Sequence, residues 1–152
     1  MIDINNESGV PVGEKQLVQV AAFTLQQLRI HPQADLSILL VDEATMTQYH
    51  ERFMQLPGPT DVLSFPMDEL RVPRDGDQPP QGLLGDVVLC PSEIDKRANE
   101  LGRAPADEAA YLLVHGILHL LGFDHAEPSE EAVMFELQDR LFGDWLNQKA
   151  AK

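Results

Sequence analysis

The chain has 152 residues, of which 43% are hydrophobic and 24% charged, and its formal net charge is −14. This length and composition are those of one folded domain and exclude a disordered chain. With only 11 lysine and arginine residues, the chain is not a general nucleic-acid binder, so any contact with RNA must be local. The single cysteine, Cys90, and the lack of an export signal or a long apolar run predict a cytoplasmic protein without membrane contact.

Hydrophobic periodicity predicts strand, helix, strand and helix in the first half of the chain. Residues 2–5 can form a short strand, and residues 14–30 repeat their apolar side chains at helical intervals. Residues 35–41 are nearly all apolar toward their end, which is typical of a strand covered on both faces. Asp42 is a predicted N-cap for a helix over residues 43–54, because its carboxylate can accept a backbone hydrogen bond.

The second half is predicted as two strands followed by three helices. Pro57 and Pro59 break the preceding helix, and strands are expected over residues 61–65 and 83–90. Between these strands, residues 67–82 are rich in proline and acidic residues. We expect this segment to be a mobile surface loop, whose acidic part from Asp68 to Asp77 serves solubility rather than substrate contact. Helices are expected to begin at Pro91, near Pro105 and at Ser129.

This order of elements predicts an α+β fold, with residues 1–152 as a single domain. We expect a mixed sheet of about four strands packed with about five helices. The apolar face of the last helix is expected to comprise Val133, Met134, Leu137, Leu141 and Trp145. The order of the strands in the sheet does not follow from the sequence.

Three of the five histidines fall within eleven residues, in the run HGILHLLGFDH at residues 115–125. His115 and His119 are four residues apart, so on a helix both imidazoles leave the same face. Gly122 can end that helix in a left-handed conformation, after which the chain turns back and brings His125 to the same point. Three imidazoles leave the fourth position of a tetrahedral zinc site open, as catalytic zinc sites do. We therefore predict a metal site made by these three histidines, with zinc preferred over nickel, copper or iron.

A metallopeptidase is one alternative. The spacing matches H-E-x-x-H-x-x-G-x-x-H, the motif of metalloproteases with a zincin-like metal helix, in which the glutamate is the general base. Gly116 occupies the position of that glutamate and cannot take a proton. Losing the base removes about two to four powers of ten in rate, so peptidase activity is disfavoured. The other alternative is a non-catalytic protein with a structural zinc, whose fourth ligand would close the site.

Two further motifs accompany the histidine run, PTDVLSFP at residues 59–66 and LGDVV at residues 84–88. Together the three resemble the YbeY family of bacterial rRNA maturation factors, over most of the chain from about residue 35 to residue 145. The resemblance implies a metal-dependent single-strand endoribonuclease in 16S rRNA 3′-end maturation and ribosome quality control. It implies one zinc ion per chain, held by His115, His119 and His125. It also implies the ribosome or small-subunit precursor as partner, with ribosomal proteins and a small GTPase as companions. With this resemblance, the non-catalytic alternative becomes a ribosome-assembly factor with a structural zinc.

The chain departs from the family pattern at one position. Many members carry an arginine shortly before the Pro-Thr pair, where this chain has Met54. The nearest arginine is Arg52, which would reach the same place if the following turn is longer here. We therefore name His115 and Arg52 as catalytic candidates, and a solvated helix residue is the alternative for Arg52. Whether water or the ribose 2′-hydroxyl attacks the phosphate stays open.

Three aspartates near the motifs are weaker candidates. Asp124 could accept a proton from the far nitrogen of a ligand histidine and so fix the orientation of the ring. Asp61 and Asp86 flank strands that we expect near the site. For all three, a role as a turn or loop residue is the alternative.

Overall fold

Strands and helices alternate through the first half of the molecule, and three helices follow the last strand. The computed structural model describes residues 1–151, and the bounds below apply to these residues. The elements are β1 (Ile2–Asn6), α1 (Glu14–Gln27), β2 (Asp35–Leu40), α2 (Glu43–Met54), β3 (Val62–Pro66), β4 (Leu83–Leu89), α3 (Pro91–Leu101), α4 (Pro105–Leu120) and α5 (Pro128–Ala150). The predicted α+β fold with a four-strand sheet and five helices is thereby confirmed.

The sheet is mixed and has the strand order β1-β2-β4-β3. The β1–β2 and β2–β4 pairs are parallel, whereas β3 and β4 run antiparallel. The central strands carry side chains that are buried on both faces, since Leu36, Ile38, Val87 and Leu89 alternate with residues that are also mostly shielded. β3 lies at the edge beside β4, which places the PTDVLSFP motif at one border of the sheet.

Helix α4 lies at the centre of the packing and contacts α1, α3, α5, β3 and β4. It is apolar on nearly every side, as a helix surrounded by other elements must be. From Ala109 to Leu120 its side chains are buried, except for three half-buried residues, Tyr111, His115 and His119. The histidines therefore lie on the only part of this segment that reaches toward solvent.

Several element boundaries match the predictions and two details do not. The Asp42 carboxylate accepts a hydrogen bond from the backbone N–H of Thr45 at 2.8 Å, as expected of an N-cap. The prediction that the first helix reaches residue 30 is wrong, because Arg29 adopts a positive φ of 61° and turns the chain. Val133 is 57% exposed, so its assignment to the apolar face of the last helix is also wrong. Val133 lies outside the buried stripe of α5, to which Met134, Leu141 and Trp145 belong.

Residues 67–82 contain no helix or strand, yet both their ends are hydrogen-bonded to the sheet. The backbone N–H groups of Met67 and Asp68 donate to the carbonyls of Leu84 and Leu83 at 3.1 and 3.0 Å. At the second end, the carbonyl of Gly82 accepts from the backbone N–H of Asp35 at 2.8 Å. Leu70 and Val72 pack against the main core. The predicted mobility of this segment stays a prediction.

Within residues 1–151, every helix falls short of the length and apolarity that crossing a bilayer requires.

Candidate metal centre

The end of α4 and the turn after it bring the three histidines of the motif together. Gly122 follows the helix with a φ of 94°, and its N–H donates to the carbonyl of His119 at 3.0 Å. The N–H of Phe123 donates to the carbonyl of Leu118 at 3.1 Å, so two hydrogen bonds close the helix end. The turn returns the chain to α4, and one ring nitrogen from each of His115, His119 and His125 lies within 4.8 Å of the others.

The spacing and protonation of His115 and His119 fit a metal ion. The Nε2 atoms of His115 and His119 are 3.1 Å apart. This is close to the distance of about 3.3 Å between two ligand atoms in a tetrahedral zinc site. Burial, followed by the neighbouring imidazoles, lowers the pKa of His119 from 6.5 to about 4. Burial also lowers the pKa of His115. Both rings are therefore neutral near pH 7, which is the form that binds a metal.

Gln138 on α5 orients His115, and sequence reasoning missed it. Its side chain is 1% exposed, and its Oε1 lies 2.9 Å from Nδ1 of His115. With Nδ1–H donating to this oxygen, Nε2 is left without a proton and lies 3.1 Å from Nε2 of His119. The sequence held a signal, because Gln138 is the one polar residue on the buried stripe of α5 with Met134, Leu141 and Trp145.

A cavity of about 710 Å³ opens beside the three histidines. Its walls come from β3, the segment at residues 67–82 and the turn after α4. The lining residues that carry polar or charged side chains besides the histidines are Asp61, Ser64, Glu69, Arg71 and Asp124. We expected the acidic part of this segment to serve solubility rather than substrate contact, but the structure places Glu69 and Arg71 in the cavity wall.

The sequence comparisons decide to which family this fold and site belong. Residues 3–145 match the family described as Endoribonuclease YbeY. The chain belongs to the YbeY endoribonuclease family. The resemblance inferred from the three motifs is thereby confirmed, and membership supports an endoribonuclease role, in which RNA phosphodiester bonds are cut.

Individual YbeY relatives match over nearly their whole length. Endoribonuclease YbeY from Cutibacterium acnes is 63% identical over 145 residues, which are 95% of this chain and 94% of the relative. The protein of the same name from Thermobifida fusca is 54% identical over 144 residues, covering 95% and 93%. The solution structure of TM1509 from Thermotoga maritima aligns with a TM-score of 0.66 and 26% identity, over 99% of this chain and 93% of the other.

The structure does not bring Arg52 to the site of this YbeY chain. Its side chain is exposed, and its Cζ lies 5.4 Å from the centroid of the Phe53 ring. Met54 lines the cavity instead. The catalytic role suggested for Arg52 therefore stays a prediction, and the geometry lends it no support.

Three other polar residues of the YbeY motifs form hydrogen bonds or an ion pair within the protein. Asp61 lines the cavity, and its Oδ2 lies 3.7 Å from Nη1 of Arg97. Asp124 accepts a hydrogen bond from the backbone N–H of His125 at 2.7 Å, so it shapes the turn. Ser64 donates to the carbonyl of Gly116 at 2.9 Å. Asp86, which lies within β4, does not line the cavity.

Gly116 faces the sheet, which bears on the metallopeptidase alternative. A Cβ atom at this position would lie 2.6 Å from Cγ1 of Val87 and 3.1 Å from Oγ of Ser64. The glutamate that the metalloprotease motif requires there has no room in this YbeY fold. Gly116 therefore allows α4 to pack closely against the sheet, and a catalytic base cannot occupy this position.

Proposed function

We propose that this chain is a zinc-dependent, single-strand-specific endoribonuclease that acts in 16S rRNA 3′-end maturation and ribosome quality control. The observation that carries the proposal is the convergence of three histidine nitrogens within 4.8 Å. They lie in the wall of a cavity of about 710 Å³, which leaves room for a substrate beside a metal. A structural zinc site is closed by four protein ligands, whereas a catalytic one keeps a position open.

The residues of the centre have two roles, which are to hold the metal and to orient a ligand histidine. A bound zinc ion supplies a Lewis acid beside the phosphate and a water of lowered pKa. His115, His119 and His125 would hold the ion, and Gln138 keeps Nε2 of His115 available by accepting the Nδ1–H bond at 2.9 Å. Two routes remain, attack on the phosphate by water or by the ribose 2′-hydroxyl. End analysis of the products separates them, because only attack by the 2′-hydroxyl leaves a 2′,3′-cyclic phosphate.

Metal analysis tests the first step of the proposal. We expect about one zinc ion per purified chain, lost in a His119→Ala variant. His31→Ala is the matched control, since His31 lies in the turn before β2, outside the histidine group. Equal zinc in wild type and His119→Ala would reject the three-histidine site.

An RNA cleavage assay tests the second step. The zinc-loaded protein is incubated with single-stranded and duplex fragments from the 3′ end of precursor 16S rRNA. We expect cleavage of the single strand alone, and loss of cleavage in folded His119→Ala. Retained cleavage by that variant would rule out metal catalysis. A protein that binds these fragments without cutting them would be an assembly factor.

We propose that the partner in the cytoplasm is the ribosome or its small-subunit precursor, with ribosomal proteins and a small GTPase as companions. The formal charge of −14 supports partners that supply positive surface near the rRNA, since this chain has little of its own. Cys90 is buried and free, which agrees with a reducing compartment. Co-sedimentation with small-subunit precursors tests this, and absence from that fraction would contradict it.

A further inference from the structure

Within residues 1–151, Arg71 is the single lysine or arginine that lines the histidine cavity. The other charged lining side chains are the carboxylates of Asp61, Glu69 and Asp124. An RNA phosphate that enters this cavity meets these three carboxylates. Among the described residues that line the cavity, Arg71 alone brings a lysine or arginine charge to offset them.

The guanidinium of Arg71 lies directly over the turn that carries the metal-binding residues. A Cβ atom on Gly122 would lie 2.5 Å from its Nε and 2.6 Å from its Cζ, so the guanidinium packs against the backbone of that glycine. Gly122 is three residues from both His119 and His125. The positive charge is therefore held next to the histidine centre.

The guanidinium of Arg71 still has donors to offer. No ion pair among residues 1–151 involves it, and its Nη1 donates to the carbonyl of Leu70 at 3.0 Å. Arg97, also near the histidines, is neutralised by Asp61 at 3.7 Å and by the buried Glu108 at 3.3 Å. A guanidinium carries five N–H donors in a planar fork, which matches two oxygens of a phosphate.

We propose that Arg71 binds a phosphate of the RNA backbone and positions it at the three-histidine centre. The proposal rests on the endoribonuclease function proposed above and adds a substrate-binding residue to it. The residue comes from a segment that we expected to serve solubility alone.

The test compares Arg71→Gln, Arg71→Lys and Arg74→Gln. Arg74 belongs to the same segment but does not line the cavity, so Arg74→Gln is a control with the same change in net charge. All variants are loaded with zinc and checked for unchanged melting temperature. For each, kcat/KM is measured on a single-stranded RNA, and binding of a 2′-O-methyl version of that RNA is measured over a salt series.

We expect Arg71→Gln to lower kcat/KM by about 10- to 100-fold, the loss that accompanies removal of one charged hydrogen bond. Arg71→Lys should recover part of it, because an ammonium keeps the charge but not the fork. The slope of log affinity against log salt should become shallower by about 0.7 in Arg71→Gln alone. Arg74→Gln should match the wild type in both readouts.

The outcomes separate the two proposals. If wild type cleaves the RNA and Arg71→Gln equals it in kcat/KM and salt slope, the role of Arg71 is refuted and the nuclease function stands. If wild type binds without cleaving and the slope still depends on Arg71, the nuclease function fails and phosphate binding stands. A wild type that neither binds nor cleaves refutes both.

Discussion

At the scale of single residues, a side chain from another helix decides which nitrogen of His115 is available to a metal. The Oε1 of Gln138 accepts the Nδ1–H bond at 2.9 Å, which leaves Nε2 of His115 3.1 Å from Nε2 of His119. Gln138 is held in place because it lies on the buried stripe of α5. The packing of the core therefore fixes the orientation of the His115 ring through Gln138.

Removing this acceptor should weaken the proposed metal site. Gln138→Leu keeps most of the side-chain volume and leaves Nδ1–H without a partner. We expect zinc affinity to fall about 10- to 100-fold, as for other partners of ligand histidines. Competition against a chelator of known affinity measures the change. Gln138→Glu retains an acceptor oxygen and should stay near wild type, and equal affinities in the leucine variant and wild type would contradict this role.

The lowered pKa values of the histidines predict how stability depends on pH when no metal is bound. In the unfolded chain the imidazole of His119 takes up a proton near pH 6.5, whereas in the folded protein it does so near pH 4. Between these values the unfolded state binds more protons, so the free energy of unfolding decreases as the pH falls. Urea denaturation of the metal-free protein between pH 7 and pH 5 measures this. His119→Ala should flatten the curve, and an unchanged pH dependence in that variant would contradict the assignment.

At the scale of elements, α4 lies very close to the sheet at Gly116. A Cβ there would come within 2.6 Å of Val87, and Ser64 from β3 donates to the Gly116 carbonyl at 2.9 Å. This close approach seats the helix that carries His115 and His119 against the strand that carries the PTDVLSFP motif. The two motifs meet because the helix lacks a side chain at this point.

Gly116→Ala should therefore destabilise the protein even though alanine favours helices. We expect a loss of about 1 to 3 kcal/mol from overpacking, measured by urea denaturation. Gly143, on α5, is the matched control, since nothing lies within 4 Å of a Cβ built there. Gly143→Ala should be neutral or stabilising by up to about 1 kcal/mol. If both substitutions act alike, the close contact at residue 116 does not limit the packing.

At the scale of the whole molecule, the histidine centre lies where several elements meet. His115 and His119 belong to α4, Gln138 belongs to α5, and the cavity wall includes β3 and residues 67–82. A metal bound there would bind the folded chain far better than the unfolded one. Binding at this centre should therefore report on the stability of the entire domain.

Zinc should raise the melting temperature of the metal-free protein. At a free concentration 100 times the dissociation constant, the stabilisation is about 2.7 kcal/mol, which shifts the midpoint by about 5 to 10 °C for a chain of this size. Differential scanning fluorimetry in buffered zinc measures the shift. His119→Ala should show none at the same concentration. A shift of equal size in that variant would mean that zinc binds elsewhere.

The sequence alone determined the order of the elements and the three-histidine cluster, because both depend on short-range geometry. Four-residue spacing on a helix and a glycine at its end are local features, and from them the sequence predicts that the three rings come together. Tertiary structure decided the strand order β1-β2-β4-β3. It also decided that Gln138 contacts His115 and that Arg71 lines the cavity. Gln138, Met54 and Arg71 come from separate parts of the chain, and only the packing of the elements decides which of them reach the site. Arg52 was chosen because it is close in sequence to the Pro-Thr pair. Met54 lines the cavity and Arg52 does not, so the catalytic role of Arg52 stays a prediction.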